Sequence, residues 1–179
     1  MKTAISLGHL CAPARYGVVH GLRTTKEKGY KTCPFDLMIS NIDGVLDCIS
    51  TNFIQFLNVR HLETRWRRNN TRFRIIHKYY NFIFNHESFD PMPEPHYLSE
   101  NWPLGPEHFI KDNYARWFHR YQQRVENFRY YCTTADHVTF MVMNDDISVE
   151  SRIEDVISNV YPELDFDVLI LPTGSLHKR

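Results

Sequence analysis

The sequence predicts a single α/β domain over residues 1–179, in three layers, with a mostly parallel central sheet flanked by helices. Three observations predict it. Residues 137–143, His-Val-Thr-Phe-Met-Val-Met, are a near-continuous apolar run of the kind that makes a strand covered on both faces. From residue 107 to residue 171 the pattern alternates helix, strand, helix, strand, as parallel strands joined by right-handed crossovers do. The chain has 179 residues, 42% of them hydrophobic and 14% aromatic, which is enough for one packed core, and its 23% charged residues fall short of a disordered composition.

The elements follow in order. Residues 3–7 are a short apolar strand stopped by Gly8, and the stretch after it is helical, with Pro13 at a position that tolerates proline. From Ile42, the residues Val45, Leu46, Ile49, Phe53, Ile54 and Leu57 recur at helical spacing, capped by Ser40 or Asn41. Residues 59–76 are arginine-rich with scattered apolar partners, and His77–Phe84 reads as a strand from its aromatic content. Five of the nine prolines fall between residues 91 and 106, so 88–106 is expected to be a long loop and a candidate lid. Tyr114, Trp117, Phe118, Tyr121, Val125 and Phe128 then mark one face of a long helix over 107–130. After the strand 137–143, a polar turn at Asn144-Asp145-Asp146 leads to a helix through Ile153, Val156, Ile157 and Val160, closed by Pro162. The last strand is Asp167–Leu171.

Lysine plus arginine equals aspartate plus glutamate at 21 each, so nothing suggests a general polyanion binder, and nucleic acid is not an expected partner. An arginine cluster at 60–74 with Trp66 and Phe73 is the one stretch with the mixture seen in single-strand grooves. His9, Pro13 and Arg15 interrupt the N-terminal apolar stretch too early for an export signal, and no window is long enough to span a bilayer. The expectation is a cytoplasmic protein, not a membrane one. Its four cysteines, Cys11, Cys33, Cys48 and Cys132, are then thiols rather than a disulfide frame, and with no CxxC pair there is no sign of a metal site. The sequon at Asn69-Asn70-Thr71 carries little without secretion.

Cys11 falls where a strand has ended and a helix begins. The partial positive charge of a helix N-terminus there favours a thiolate, although a free cysteine is more often a small buried hydrophobe. Asn144 and Asp145 follow the strand 137–143 at the sheet edge where ligand sites collect in parallel α/β folds; equally, they can simply cap the next helix. If the first strand neighbours this one in parallel, Cys11 and these side chains share an edge. Arg116, Arg120 and Arg124 lie at i, i+4 and i+8 on one helical row, which is either a solvated face or a holder of an acidic group. Arg23 offers the same near Cys11.

Ser6-Leu7-Gly8-x-x-Cys11, Gly21-Leu22-Arg23, Pro34-Phe35-Asp36-Leu37-Met38, Phe84-Asn85-His86-Glu87 and Arg120-x-x-x-Arg124-Val125-x-x-Phe128, in that order from about residue 3 to 171, resemble a domain family of unknown function described as putative papain-like cysteine peptidases. Leu37 stands where the family has tryptophan, and His86-Glu87 where it has histidine and aspartate. The resemblance implies a cysteine, a histidine and a polar orienter: Cys11 as nucleophile and His86 as base with Glu87 beside it; His137, at the mouth of the later buried strand, is the second choice for the base. Asn144 or Asp145 would be the orienter, with Asp36 as a rival or a structural hydrogen-bonder. Papain-like enzymes join helices to a largely antiparallel sheet, whereas the alternation over 107–171 argues for parallel strands.

The expected activity is therefore a cysteine hydrolase acting on an amide, isopeptide or ester of a peptide, acyl or glycan-type substrate, without a cofactor or metal. The alternative is a noncatalytic anion-binding or glycan-linked module built on the Gly8 turn and the helix N-terminus, with Cys11 as packing.

Overall fold

Two three-stranded sheets carry the architecture. In the computed structural model the described residues are 1–66, 73–89, 103–104 and 107–174. The first sheet is β1 (Lys2–Ser6), β5 (His137–Met143) and β6 (Phe166–Leu171), parallel throughout in the order β1-β5-β6. The second is β2 (Leu62–Trp66), β3 (Phe73–His77) and β4 (Phe82–Phe89), an antiparallel meander. Four helices join them: α1 (Ala12–Val19), α2 (Ile42–Ser50), α3 (Ala115–Thr134) and α4 (Val149–Val160). The chain is α/β, but the single, mostly parallel sheet of the sequence reading is corrected to one parallel and one antiparallel sheet. Chain length between strands explains it. β3 and β4 are separated by four residues, 78–81, too few for the dozen or more that a parallel crossover requires.

The expected strand over 77–84 is therefore a turn between two strands, with Asn81 at φ 55°, a left-handed conformation that asparagine tolerates better than most residues. Likewise α2 ends at Ser50, short of its apolar pattern. Asn52 and Phe53 are left-handed at φ 54° and 63°, and the amide of Phe53 closes the helix end on the Cys48 carbonyl at 2.7 Å. Phe53 and Phe56 still reach the core from these turns, so helical spacing survives past the helix itself. At the other end of the chain, left-handed Asn113 and Tyr114 delay α3 to Ala115, eight residues after the expected start.

β5 is central because its residues are. Val138 and Phe140–Met143 are buried, and its register sets Ser6 of β1 beside Met141 and Leu169 of β6 beside the same residue. The first sheet meets the second through rings: Phe128 of α3 lies 6.1 Å from Phe140 of β5 and 5.6 Å from Phe53. Tyr121, one helical face along, lies 4.8 Å from Phe84 of β4. These spacings suit edge-to-face aromatic packing, so α3 is the beam to which both sheets are fastened. Among the described residues no helix is long and apolar enough to cross a membrane. Most of the Pro-rich 88–106 segment, the sequon and Arg67, Arg68 and Arg72 lie outside the described residues.

Candidate functional site

The chain leaves β1 through a turn that only glycine can make. Gly8 has φ +92°, and a Cβ built there would lie 2.0 Å from Ser40 Oγ. That same hydroxyl accepts from the amide of His9 at 3.0 Å, and Ser6 Oγ accepts from the amide of Gly8 at 3.1 Å. Two serines thus clamp the turn. His9 is left-handed at φ 75°, and Cys11 becomes the N-cap of α1, with Pro13 in the first turn. The Cys11 side chain makes no capping hydrogen bond and is half-buried. Among the described residues, the amides of Leu10 and Cys11 donate to nothing, so two N–H groups stand beside the sulfur at the positive end of a helix.

Because β1 and β5 are parallel neighbours, Cys11, Asn144 and Asp145 do share the carboxyl edge of this sheet. Asn144 Oδ1 accepts from the amide of Asp146 at 2.9 Å, and Asp146 Oδ1 from that of Ser148, so the polar turn does shape the entry to α4. Asp145 reaches across to the end of β6, accepting from the Thr173 amide at 2.8 Å and from the Thr173 hydroxyl. These bonds hold its carboxyl below the usual range, with a smaller contribution from the charge of His9. His9 is therefore an imidazole that the sequence reading missed. It lies within electrostatic range of Asp145 on the edge that carries Cys11, and nothing in the pattern Gly-His-Leu-Cys reveals that.

His137 goes elsewhere. It pairs with Lys2 at the amino end of β1, about 13 Å of strand away from Ser6, at roughly 3.3 Å per residue. Its ring lies between Asp165 (2.9 Å) and Asp167 (3.3 Å). It stands at the opposite edge from Cys11, because a histidine that opens a strand lies at the wrong end of it for a carboxyl-edge site.

His86 stands in a local break of the second sheet. Ile75 pairs with Phe84, but the preceding Arg74 pairs with Ser88, so Asn85, His86 and Glu87 bulge out between consecutive partners. The bulge aims Glu87 at α3. There it pairs with Arg120, and with Arg124 at 3.5 Å. Asp36 is equally committed: its carboxylate takes Arg23 at 2.7 Å and the Cys33 amide at 2.8 Å. Arg124 is also within electrostatic reach of Asp36. Arg23 lies over the Tyr30 ring, 4.1 Å from its centre, and beside Gly17 of α1. Residues far apart in sequence, 23, 36, 87, 120 and 124, so form one charged cluster. Asp36 acts here as a structural ion-pair partner. Its neighbour Phe35 lies under Gly8, which connects the cluster to the thiol turn. Leu37, where an aromatic wall would stand, is half-buried.

A second histidine, this one buried, escaped the sequence reading. Arg116 Nη1 lies 3.0 Å from the Nδ1 of His108 and 3.3 Å from its carbonyl, an arrangement that leaves Nδ1 as acceptor. Burial, then the charges of Arg116 and Arg120, push its pKa down. The other three cysteines are buried, and burial pushes all three thiols up. No group of three or more metal-ligating side chains occurs among the described residues.

Fold and site together define a small α/β protein with a half-buried thiol at the carboxyl edge of a parallel sheet. No curated protein and no solved structure matches the chain. A family model does match, over residues 2–173, and the chain belongs to that family of unknown function, described as putative papain-like cysteine peptidases.

Proposed function

We propose that this protein is a cysteine hydrolase of the peptidase class, with Cys11 as its nucleophile. The observation that carries the reading is the placement of Cys11: a half-buried sulfur at a helix N-cap, beside two unengaged amides, on a sheet edge where sites collect. In the reaction the thiolate attacks the carbonyl carbon of an amide or ester, and the amides of Leu10 and Cys11 receive the oxyanion. Collapse breaks the bond to the leaving group, which takes its proton from an imidazolium, and water then hydrolyses the thioester.

His86 is the base in this reading. Family membership nominates it, and the bulge that fastens Glu87 to α3 supplies a rigid mount. A second reading assigns the base to His9 with Asp145 as orienter, favoured by their electrostatic contact on the thiol's own edge. The pH profile of Cys11 alkylation by iodoacetamide tests both. An activated thiol reacts faster at pH 6.5 than an unstructured one, and loss of its base moves the profile toward that of a free thiol. His86→Ala should do this under the first reading, His9→Ala and Asp145→Asn under the second. A wild-type profile indistinguishable from a free thiol would end the hydrolase proposal.

A further inference from the structure

The arginine row of α3 is not a solvated face. Side-chain exposure falls from 48% at Arg116 to 39% at Arg120 and 12% at Arg124, so the row descends from the surface into the protein. At its inner end the charges do not balance. Arg23, Arg120 and Arg124 face two carboxylates, Asp36 and Glu87, each 1% exposed, and Arg23 is itself only 7% exposed. Among the described residues one positive charge is left over beside the buried Glu87 carboxylate. Nor are the donors used up. Arg23 Nε and Arg124 Nη1 are buried without a well-aligned hydrogen-bond partner among the described residues, and the Tyr121 hydroxyl interacts with Arg124 from the side. Burial and the neighbouring arginines push the His108 pKa down.

We propose that this cluster is a binding site for a single oxyanion, a carboxylate or a phosphate group, held by Arg120 at the mouth and Arg124 within. Such a group supplies the missing negative charge and accepts from the unpaired guanidinium N–H groups in the forked geometry that arginine offers. Asp36 pairs with Arg23 and Glu87 with Arg120 and Arg124, which limits the site to one charge. Arg120 also stacks near Phe109, 5.4 Å from its ring centre, which holds the outer arm against an apolar wall. The test uses Cys11→Ser protein and so stands apart from any hydrolase activity.

The test is calorimetric titration and thermal melting with inorganic phosphate or succinate, at constant ionic strength against sodium chloride. Saturable binding with a rise in melting temperature is expected for one of the two, and which one identifies the group. Arg120→Gln, on the half-exposed arm, should weaken binding at least tenfold without unfolding the chain. Glu87→Gln, which removes a competing carboxylate, should tighten it, whereas a purely structural cluster would bind no better. Arg152→Gln, on the distant Asp43 pair, should change nothing. Absence of any effect beyond sodium chloride, or binding that Arg120→Gln leaves intact, would overturn the proposal.

Discussion

Ser40 Oγ, 2.0 Å from where a Gly8 Cβ would stand, makes the thiol turn intolerant of any side chain. Gly8→Ala should therefore destabilise the protein by about 2 kcal/mol or more, combining left-handed strain with the clash. Adding Ser40→Ala should recover part of that loss, and urea melts of the single and double variants measure both. His77 illustrates a residue whose role is purely structural. It is buried, its Nδ1 accepts from the Tyr80 amide at 3.4 Å, and its Nε2 donates to the Gln55 carbonyl at 3.1 Å. Burial pushes its pKa down to about 4 from 6.5. The unfolded chain thus takes up a proton as pH falls below 6.5 while the folded chain does not until about 4. Stability present above pH 6.5 is lost across that window, by at most about 3 kcal/mol at 1.36 kcal/mol per pH unit. Urea midpoints at pH 7 and 4.5 should show a smaller pH-dependent loss in His77→Gln than in wild type.

At the scale of elements, α2 depends on its cap. Asn41 Oδ1 accepts from the Gly44 amide, and its Nδ2 donates to the Tyr80 carbonyl in the β3–β4 turn, both at 2.8 Å. Asn41→Ala should cost about 1–2 kcal/mol, more than an ordinary surface cap, because it also frees the hairpin from the helix. The helix should lose amide protection first in hydrogen exchange. The bulge in β4 carries a larger consequence. Breaking the buried Glu87 pair by Glu87→Gln should cost about 3 kcal/mol, since it leaves arginine charge uncompensated. Glu87→Gln with Arg124→Met should cost less than the single change, and equilibrium unfolding of the four species in this double-mutant cycle reads the coupling.

For the whole molecule, the four thiols divide by burial rather than by sequence. Cys33, Cys48 and Cys132 are sealed in the core, where desolvation disfavours the thiolate, and only Cys11 has solvent access. Ellman's reagent at neutral pH should titrate one thiol in the native protein and four in guanidinium. A Cys11→Ser variant should show none until it unfolds.

Much of this architecture was legible in the sequence because it rests on local periodicity. The unbroken run 137–143 could be little other than a central strand, and the spacing from Ile153 to Val160 little other than a helix on it. The family was legible as well, since chain order and residue type are all that such a resemblance needs, and its model matches residues 2–173. The second sheet was not legible: its strands mix charged and polar residues with apolar ones without a clean alternation, and whether a tyrosine-rich stretch turns or extends depends on what its rings pack against.

What only the tertiary structure decided was proximity. Arg23, Asp36, Glu87 and Arg124 meet because a bulge, a glycine-backed helix and the α3 face converge, and no spacing along the chain encodes that meeting. His9 within electrostatic range of Asp145, and His137 at the far edge, follow from strand order and direction, which hydrogen bonds between distant segments set. Periodicity is a property of neighbours in the chain. Electrostatics and chemistry act through space, and so the site became visible only once the chain had folded.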